Sequence, residues 1–313
     1  MPDMQKHMPR RRFGQNFLAD PYYVRRIIDA VNPLPGEALV EIGPGLGALT
    51  ADLIARAGHL RAVEIDRDLA ARLRERFSAA QLTLFEDDAL RFDFARLSAA
   101  LLMPLRIVGN LPYNISSPLL FHLATDTSSL RDLHVMLQKE VVARMTAAPS
   151  TSDYGRLSVM LQVKFAITRL FIVPPGAFTP APKVDSAVAR LTPLAAQAPR
   201  LDNELLFARL VSAAFAQRRK TLRNALAVCC TPDDLRAAKI DPQARGENLA
   251  VADFVRLANQ MSGCQESEVR DKRSGRLPRK AKRITLRTSP CAKSQGKWKR
   301  KTHSERGNPP EKC

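Results

Sequence analysis

The chain has 313 residues, 45% of them hydrophobic, and a formal net charge of +18, enough for one large core or two domains. No apolar run is long enough to cross a bilayer, and the basic start Met1–Arg12 leads into no signal-peptide stretch. Its five cysteines lack C-x-x-C spacing, which argues against a zinc site or a disulfide framework and for a reducing cytosol; no membrane, no metal and a cytoplasmic setting are expected, and the adjacent Cys229 and Cys230 read as small core residues.

Asp20-Pro21 opens a helix, because Asp is a good N-cap and Pro a good first helical residue. Val24, Ile27, Ile28 and Val31 give it an apolar face, and it ends before Pro33. Ala38–Ile42 reads as a buried strand. Gly43-Pro-Gly-Leu-Gly-Ala48 turns tightly into a helix from about Leu49 to Ala57, stopped by Gly58. A strand Arg61–Ile65, a helix Asp68–Phe77 and strands Leu82–Phe85 and Leu105–Val108 follow. Ser117-Pro118 starts another helix, and Leu133–Leu137 is a fifth strand. This alternation implies βαβ units and a mostly parallel sheet, with ligands beyond the carboxyl ends of its strands.

The pattern then changes. Ser158–Lys164 reads as a helix, and Ala166–Val173 and Ala187–Leu191 read as extended segments. Between these two lies the proline-stiffened loop Pro174–Pro182. Ala195–Pro199 looks like a linker. From Asp202 to Met261 only short helices are expected, one capped by Thr231-Pro232 and another running from about Val251 to Met261. After Gly263 apolar periodicity is lost and Lys, Arg, Ser and Pro take over, which reads as a disordered tail. The stretch Arg270–Lys312 holds 16 Lys and Arg against 3 Asp and Glu, so it carries +13 and the rest of the chain +5. That asymmetry points to a polyanionic partner such as nucleic acid.

The glycine loop is of a nucleotide-binding type, but G-x-G-x-x-A spacing also fits a dinucleotide, so the loop alone does not choose the cofactor. Glu41 helps to choose. A carboxylate there repels a pyrophosphate and suits an ammonium, which S-adenosylmethionine carries together with a sulfonium and no phosphate. Glu64, about 20 residues after the loop, can accept from ribose hydroxyls, and Asp88 from an adenine amino group. Taken alone, Glu64 is a solvated strand-end carboxylate and Asp88 a turn or cap residue.

Asn110-Leu111-Pro112-Tyr113 is on its own an ordinary turn. At the carboxyl end of a central strand it has a second reading. The adenine amino group is a poor nucleophile because its lone pair is delocalised into the ring. Two acceptors, the Asn110 side-chain oxygen and a backbone carbonyl near Leu111, would pin its hydrogens and aim the lone pair at a methyl group. Tyr113 would stack on the extruded base. Gln217–Asn224 reads as a basic helical stretch in which Arg219 and Arg223 share a face. It is either a solvated surface or, with Arg218 and Lys220, a phosphate reader.

These residues fall into an ordered set: Arg12-Phe-Gly-Gln-Asn-Phe-Leu18, Glu41-Ile-Gly-Pro-Gly-Leu-Gly47, Asn110-Leu-Pro-Tyr113, Leu137-Gln-Lys-Glu140, Tyr154-Gly-Arg-Leu-Ser158, Phe178-Thr-Pro-Ala-Pro-Lys-Val-Asp-Ser186, Gln217-Arg-Arg-Lys220 and Glu247-Asn-Leu249. From about Arg10 to Met261 the chain resembles the bacterial small-subunit ribosomal RNA adenine dimethyltransferases, the family behind kasugamycin sensitivity. The resemblance implies an α/β, Rossmann-like S-adenosylmethionine-dependent methyltransferase fold over residues 1–195. It also implies a small all-helical RNA-binding domain over 200–262, with the basic tail over 263–313.

The same resemblance implies that Asn16, Leu18, Gly43, Glu64, Asp88 and Asn110 hold the cofactor. Asn110, Leu111 and Tyr113 would grip the target adenine, with Phe178 as a second aromatic wall. The implied reaction adds two methyl groups to N6 of each of two adjacent adenines in a hairpin loop near the 3′ end of 16S RNA. Bases in such a loop are already partly unstacked. The implied substrate is the immature 30S particle late in assembly, and the enzyme is expected to be a monomer.

Overall fold

A computed structural model describes residues 16–194 and 200–274 of the chain. A two-residue strand β1 (Phe17–Leu18) precedes α1 (Pro21–Val31), which Asp20 caps by accepting the Tyr22 N–H at 2.8 Å. Then β2 (Leu39–Ile42), α2 (Thr50–Ala57), β3 (Leu60–Val63), α3 (Arg67–Arg76), β4 (Leu82–Phe85), α4 (Phe94–Leu101), β5 (Leu105–Asn110), α5 (Ser116–Leu123) and β6 (Leu130–Gln138) alternate. After them come α6 (Lys139–Thr146), α7 (Arg156–Gln162), β7 (Phe165–Val173), β8 (Phe178–Thr179) and β9 (Ser186–Pro193). The helices α8 (Glu204–Ala216), α9 (Leu222–Ala225), α10 (Pro232–Ala237) and α11 (Val251–Ser274) complete the described chain.

Seven strands form one sheet in the order β4-β3-β2-β5-β6-β9-β7. The first five are parallel, and β9 and β7 join antiparallel. The sheet is thus the expected α/β one, with an antiparallel edge. The chain runs from β2 outward to β4 on one side and from β5 outward on the other. The gap between β2 and β5 is therefore the topological switch point, where such sheets bind ligands. Both faces are covered. Leu39 and Val108 pack in one apolar cluster, and their neighbours Val40 and Ile107 pack in the other. All four β2 residues are buried, Glu41 among them, which is why no alternation with solvent-facing residues marks that strand.

The amino end of β5 is fixed by charge. Arg106 bonds Glu37 Oε2 at 2.6 Å, Asp132 Oδ2 at 2.9 Å and the Val31 carbonyl at 2.7 Å. Burial works to raise the Asp132 carboxyl, but His134 and the Arg106 guanidinium overcome it and hold the group at about 2.

Beyond the small β1–β8 pairing, four features depart from the sequence expectations. Helix α4 is new; its signal is the Asp93 cap, which accepts the Arg96 N–H at 2.8 Å. Helix α6 is also new. It follows β6 with no intervening loop and no side-chain cap, and its Val141-Val142 pair favours strand. Residues 217–221 form a turn between α8 and α9 rather than a continuous basic helix, so Arg219 and Arg223 do not share a helical face. Tertiary bonds compete successfully there: the Leu222 and Arg223 N–H groups donate to the carbonyls of Ala244 and Pro242 at 2.8 and 2.9 Å. Finally, α11 runs past Met261 and Gly263 to Ser274, into the stretch expected to be disordered. One glycine costs about 1 kcal/mol, and the strong helix formers Gln265, Glu266, Glu268, Arg270 and Lys272 follow it. The rest of the expected tail, 275–313, and the expected linker, 195–199, lie outside the described residues.

A third apolar cluster joins Phe207, Leu210, Leu222, Leu235 and Phe254 of the helical segment to Tyr154 and Val159, which precede β7. The buried Tyr154 hydroxyl donates to the Leu249 carbonyl at 2.8 Å, and the Ser150 N–H to the Glu247 carbonyl at 2.7 Å. The described residues up to Ser267 form one compact unit. Among the described residues no helix is long and apolar enough to cross a membrane.

Candidate active site

At Ile42 the chain leaves β2 and must reverse into α2. Gly43 and Gly45 do this with φ of +66° and +59°, a region closed to most side chains. The Gly43 N–H is spent on the Val63 carbonyl at 2.9 Å. A Cβ on Gly43 would meet no atom within 4 Å, whereas one on Gly45 would lie 3.1 Å from the Phe17 ring. The segment ahead of α1 therefore closes over the loop. It is held there by β1 pairing with β8, Leu18 against Phe178.

The space left open beside Gly43 is a cavity at the switch point. Asn16, Leu18, Gly43, Glu64, Asp88 and Asn110 all line it, as do Leu111 and Tyr113. Phe178 does not. It is buried in the apolar cluster beneath β1, and its place in β8 makes it an anchor for Leu18 rather than a wall of the cavity. The aromatic that sequence reasoning missed is Phe17, which does line the cavity.

Two buried carboxylates face one ligand space. Burial pushes Glu41 up to about 7; the Thr50 hydroxyl, donating at 2.7 Å, works against this, and the charge of Glu64 adds to it. Burial also raises Glu64, against N–H bonds from Asp66 at 2.9 Å and Gly45 at 3.1 Å. Neither has an ion-pair partner among the described residues. Such a space favours a ligand bringing an ammonium and hydroxyl donors, and it disfavours a pyrophosphate. Asp88 is both a turn cap and a residue of the cavity wall. Its Oδ1 caps the turn by accepting the Leu90 N–H at 2.9 Å, and the residue still lines the cavity.

Asn110 ends β5 on the other side of the switch point. Its Nδ2 donates to the Asn16 carbonyl at 2.9 Å, which fixes the amide orientation and leaves Oδ1 as an acceptor. The Pro112 carbonyl already accepts from Ser116 Oγ at 3.0 Å and the Ile115 N–H at 3.2 Å. Tyr113 is half-buried, and its hydroxyl pairs with Ser186 Oγ at 2.7 Å.

Gly109 was also missed. A Cβ there would lie 2.6 Å from the Ile42 carbonyl oxygen, so the two central strands approach closely only because it is glycine. Gly109→Ala is expected to push β2 and β5 apart beneath the cavity. The expected outcome is at least a tenfold loss of turnover and about 1–3 kcal/mol of stability, typical of overpacking. Thermal melts and labelled-methyl assays check it; wild-type values in both would show that the contact relaxes freely.

The residues expected to read phosphates, Arg218, Arg219, Lys220 and Arg223, are all exposed. Arg218 donates to the Ser152 carbonyl at 2.7 Å and lies 3.7 Å from Glu247. Among the described residues, no three His, Cys, Asp and Glu side chains gather where they could hold a metal ion.

Comparison with known proteins agrees with this geometry. Residues 6–262 match the ribosomal RNA adenine dimethylase family. The chain belongs to that family. Similar relatives include the ribosomal RNA small subunit methyltransferase A of Aromatoleum aromaticum, 60% identical over 256 residues, 82% of this chain and 95% of that one. The protein of the same name from Chromobacterium violaceum is 57% identical over 258 residues, 82% and 97% of the two chains. Among solved structures, a dimethyladenosine transferase from Plasmodium falciparum superposes with a TM-score of 0.68 at 26% identity, over 79% of this chain and 98% of that one. The 23S rRNA methyltransferase ErmE gives 0.60 at 26%, over 79% and 100%. As a ribosomal RNA adenine dimethylase, the chain is an S-adenosylmethionine-dependent methyltransferase with ribosomal RNA as its partner. The residues present fit that cofactor: the open face at Gly43 and the paired buried carboxylates suit a cation with a ribose.

Proposed function

We propose that this dimethylase modifies N6 of two adjacent adenines in the 3′-terminal hairpin loop of 16S rRNA, acting as a cytoplasmic monomer on immature 30S particles late in assembly. The observation that carries the chemistry is the bond from Asn110 Nδ2 to the Asn16 carbonyl, which turns Oδ1 into a fixed acceptor beside the cavity. The small-subunit relatives at 57% and 60% identity favour that RNA over the 23S target named for ErmE at 26%.

In this reading Glu64 receives the ribose hydroxyls, Asp88 the adenine of the cofactor, and Glu41 the ammonium. Asn16, Leu18 and Gly43 shape the walls around them. When bound, S-adenosylmethionine supplies an electrophilic methyl group. Asn110 Oδ1 and the Leu111 carbonyl accept the two amino hydrogens of the target base, which turns the nitrogen lone pair out of conjugation. Tyr113 replaces the stacking that the flipped base loses. No side chain need act as a base beforehand, because the methylated nitrogen is acidic and sheds its proton afterwards.

Residues 1–195 would hold cofactor and base, and residues 200–262 would present the basic turn to the RNA. Changing Arg218, Arg219, Lys220 and Arg223 together to Gln is expected to weaken RNA binding at low salt. It should also flatten the slope of log affinity against log salt by up to about 3 to 4, nearly one for each lost phosphate contact. An unchanged slope assigns the phosphates to other residues.

The decisive experiment incubates the protein with labelled cofactor and either 30S particles or 50S particles lacking the modifications, then maps the labelled nucleotides. Two adjacent adenines near the 16S 3′ end are expected. Label confined to 23S RNA would overturn the choice of target.

A further inference from the structure

Ser186 is completely buried at the head of β9, and its Oγ lies 2.7 Å from the Tyr113 hydroxyl. Tyr113 follows the end of β5, and β6 lies between β5 and β9 in the sheet. The phenol therefore spans the carboxyl end of β6 to reach that hydroxyl. Ser186 is held on both sides, in register with Gln138 of β6 and Val173 of β7. The residue before it is pinned too: Asp185 accepts the Lys139 N–H through its carbonyl and Lys139 Nζ through Oδ2, each at 3.0 Å. The anchor is rigid, and the ring it holds lines the cavity beside Asn110.

An aromatic ring attached only at Cβ turns about two side-chain torsions. A hydrogen bond at its far end removes most of that freedom, so ordering the ring no longer opposes base capture. A phenylalanine would stack equally well on apolar grounds but would lack the tether. The bond also gives the half-buried phenol a partner, without which its burial would be unfavourable.

We propose that Ser186 is a positioning residue: its hydroxyl fixes the plane of the Tyr113 ring before the target adenine enters. The proposal rests on the reading of Tyr113 as the stacking platform.

The test uses the full chain with 30S particles lacking the modification. The variants are Ser186→Ala, Tyr113→Phe, the double variant, and Tyr113→Ala. Either single removal of the tether is expected to lower kcat about five- to tenfold, the worth of one hydrogen bond. Cofactor affinity should stay within about twofold, since neither hydroxyl is assigned to the cofactor. The double variant should lose no more than one single variant, because both delete the same bond. Ser186→Cys, which keeps the size and a weak hydrogen-bonding group, should fall between wild type and Ser186→Ala. Should Ser186→Ala not fold, Tyr113→Phe alone removes the bond from a half-buried ring.

Wild-type kcat in Tyr113→Phe, or losses that multiply in the double variant, would overturn the proposal. If Tyr113→Ala loses over a hundredfold while Tyr113→Phe and Ser186→Ala keep wild-type kcat, only the role of Ser186 falls. If Tyr113→Ala itself keeps wild-type kcat, the stacking reading fails first.

Discussion

Replacing Asn110 with alanine is expected to cut methyl transfer about 10³-fold, the scale seen when one preorganised polar contact to the reacting group is removed. The loss should appear in kcat, because the Asn110 oxygen acts on the reacting amine and is fixed before the base arrives. Cofactor binding should weaken only several-fold, through the lost bond to the Asn16 carbonyl. Equilibrium titration with the cofactor and single-turnover methylation separate the two effects. Undiminished single-turnover rates would remove Asn110 from the chemistry, whereas equal losses in affinity and rate would make it a cofactor ligand alone.

Replacing Glu41 with glutamine should act in opposite directions on stability and binding. In the folded chain burial raises this carboxyl from 4.5 to about 7. The native state therefore holds a proton that the unfolded state has released. Stability from this group is fully present below pH about 4.5 and is lost as pH rises to about 7. The displacement corresponds to about 3 kcal/mol as a ceiling. Glu41→Gln is expected to be more stable than the parent at pH 8 by up to about that amount, with the difference shrinking toward pH 4. Its cofactor affinity at pH 8 should fall at least about tenfold, since the amide cannot pair with an ammonium. Parent affinity should weaken as pH drops below about 7, and variant affinity should not. Parallel stability curves across that range would show that Glu41 is not held in this state.

Several helix boundaries were legible because their signals are local. Asp20-Pro21, Gly58 and Thr231-Pro232 mark helix ends by capping chemistry, and the structure places helices beside all three. That the glycine loop, Glu64, Asp88 and Asn110 line one cavity was legible because a parallel sheet brings the carboxyl ends of its strands together. What escaped depended on contacts distant in sequence. Phe178 stands in an aromatic, proline-rich motif, but its packing is decided by a strand 160 residues earlier. The break at 217–221 follows from carbonyls of Pro242 and Ala244 that no local pattern reveals. Gly109 looks like an ordinary strand glycine until the Ile42 carbonyl is placed against it. The family resemblance supplied roles, but it could not supply Ser186, whose meaning lies in one bond across three strands.

Tyr154 and Val159 bury themselves among the final helices, not against β7, the strand they precede. This enzyme therefore has no clean seam for pruning. A catalytic fragment ending near residue 195 would carry a raw greasy scar and an orphaned phenol, and a minimal methylating module would need that scar resurfaced before it could survive in water.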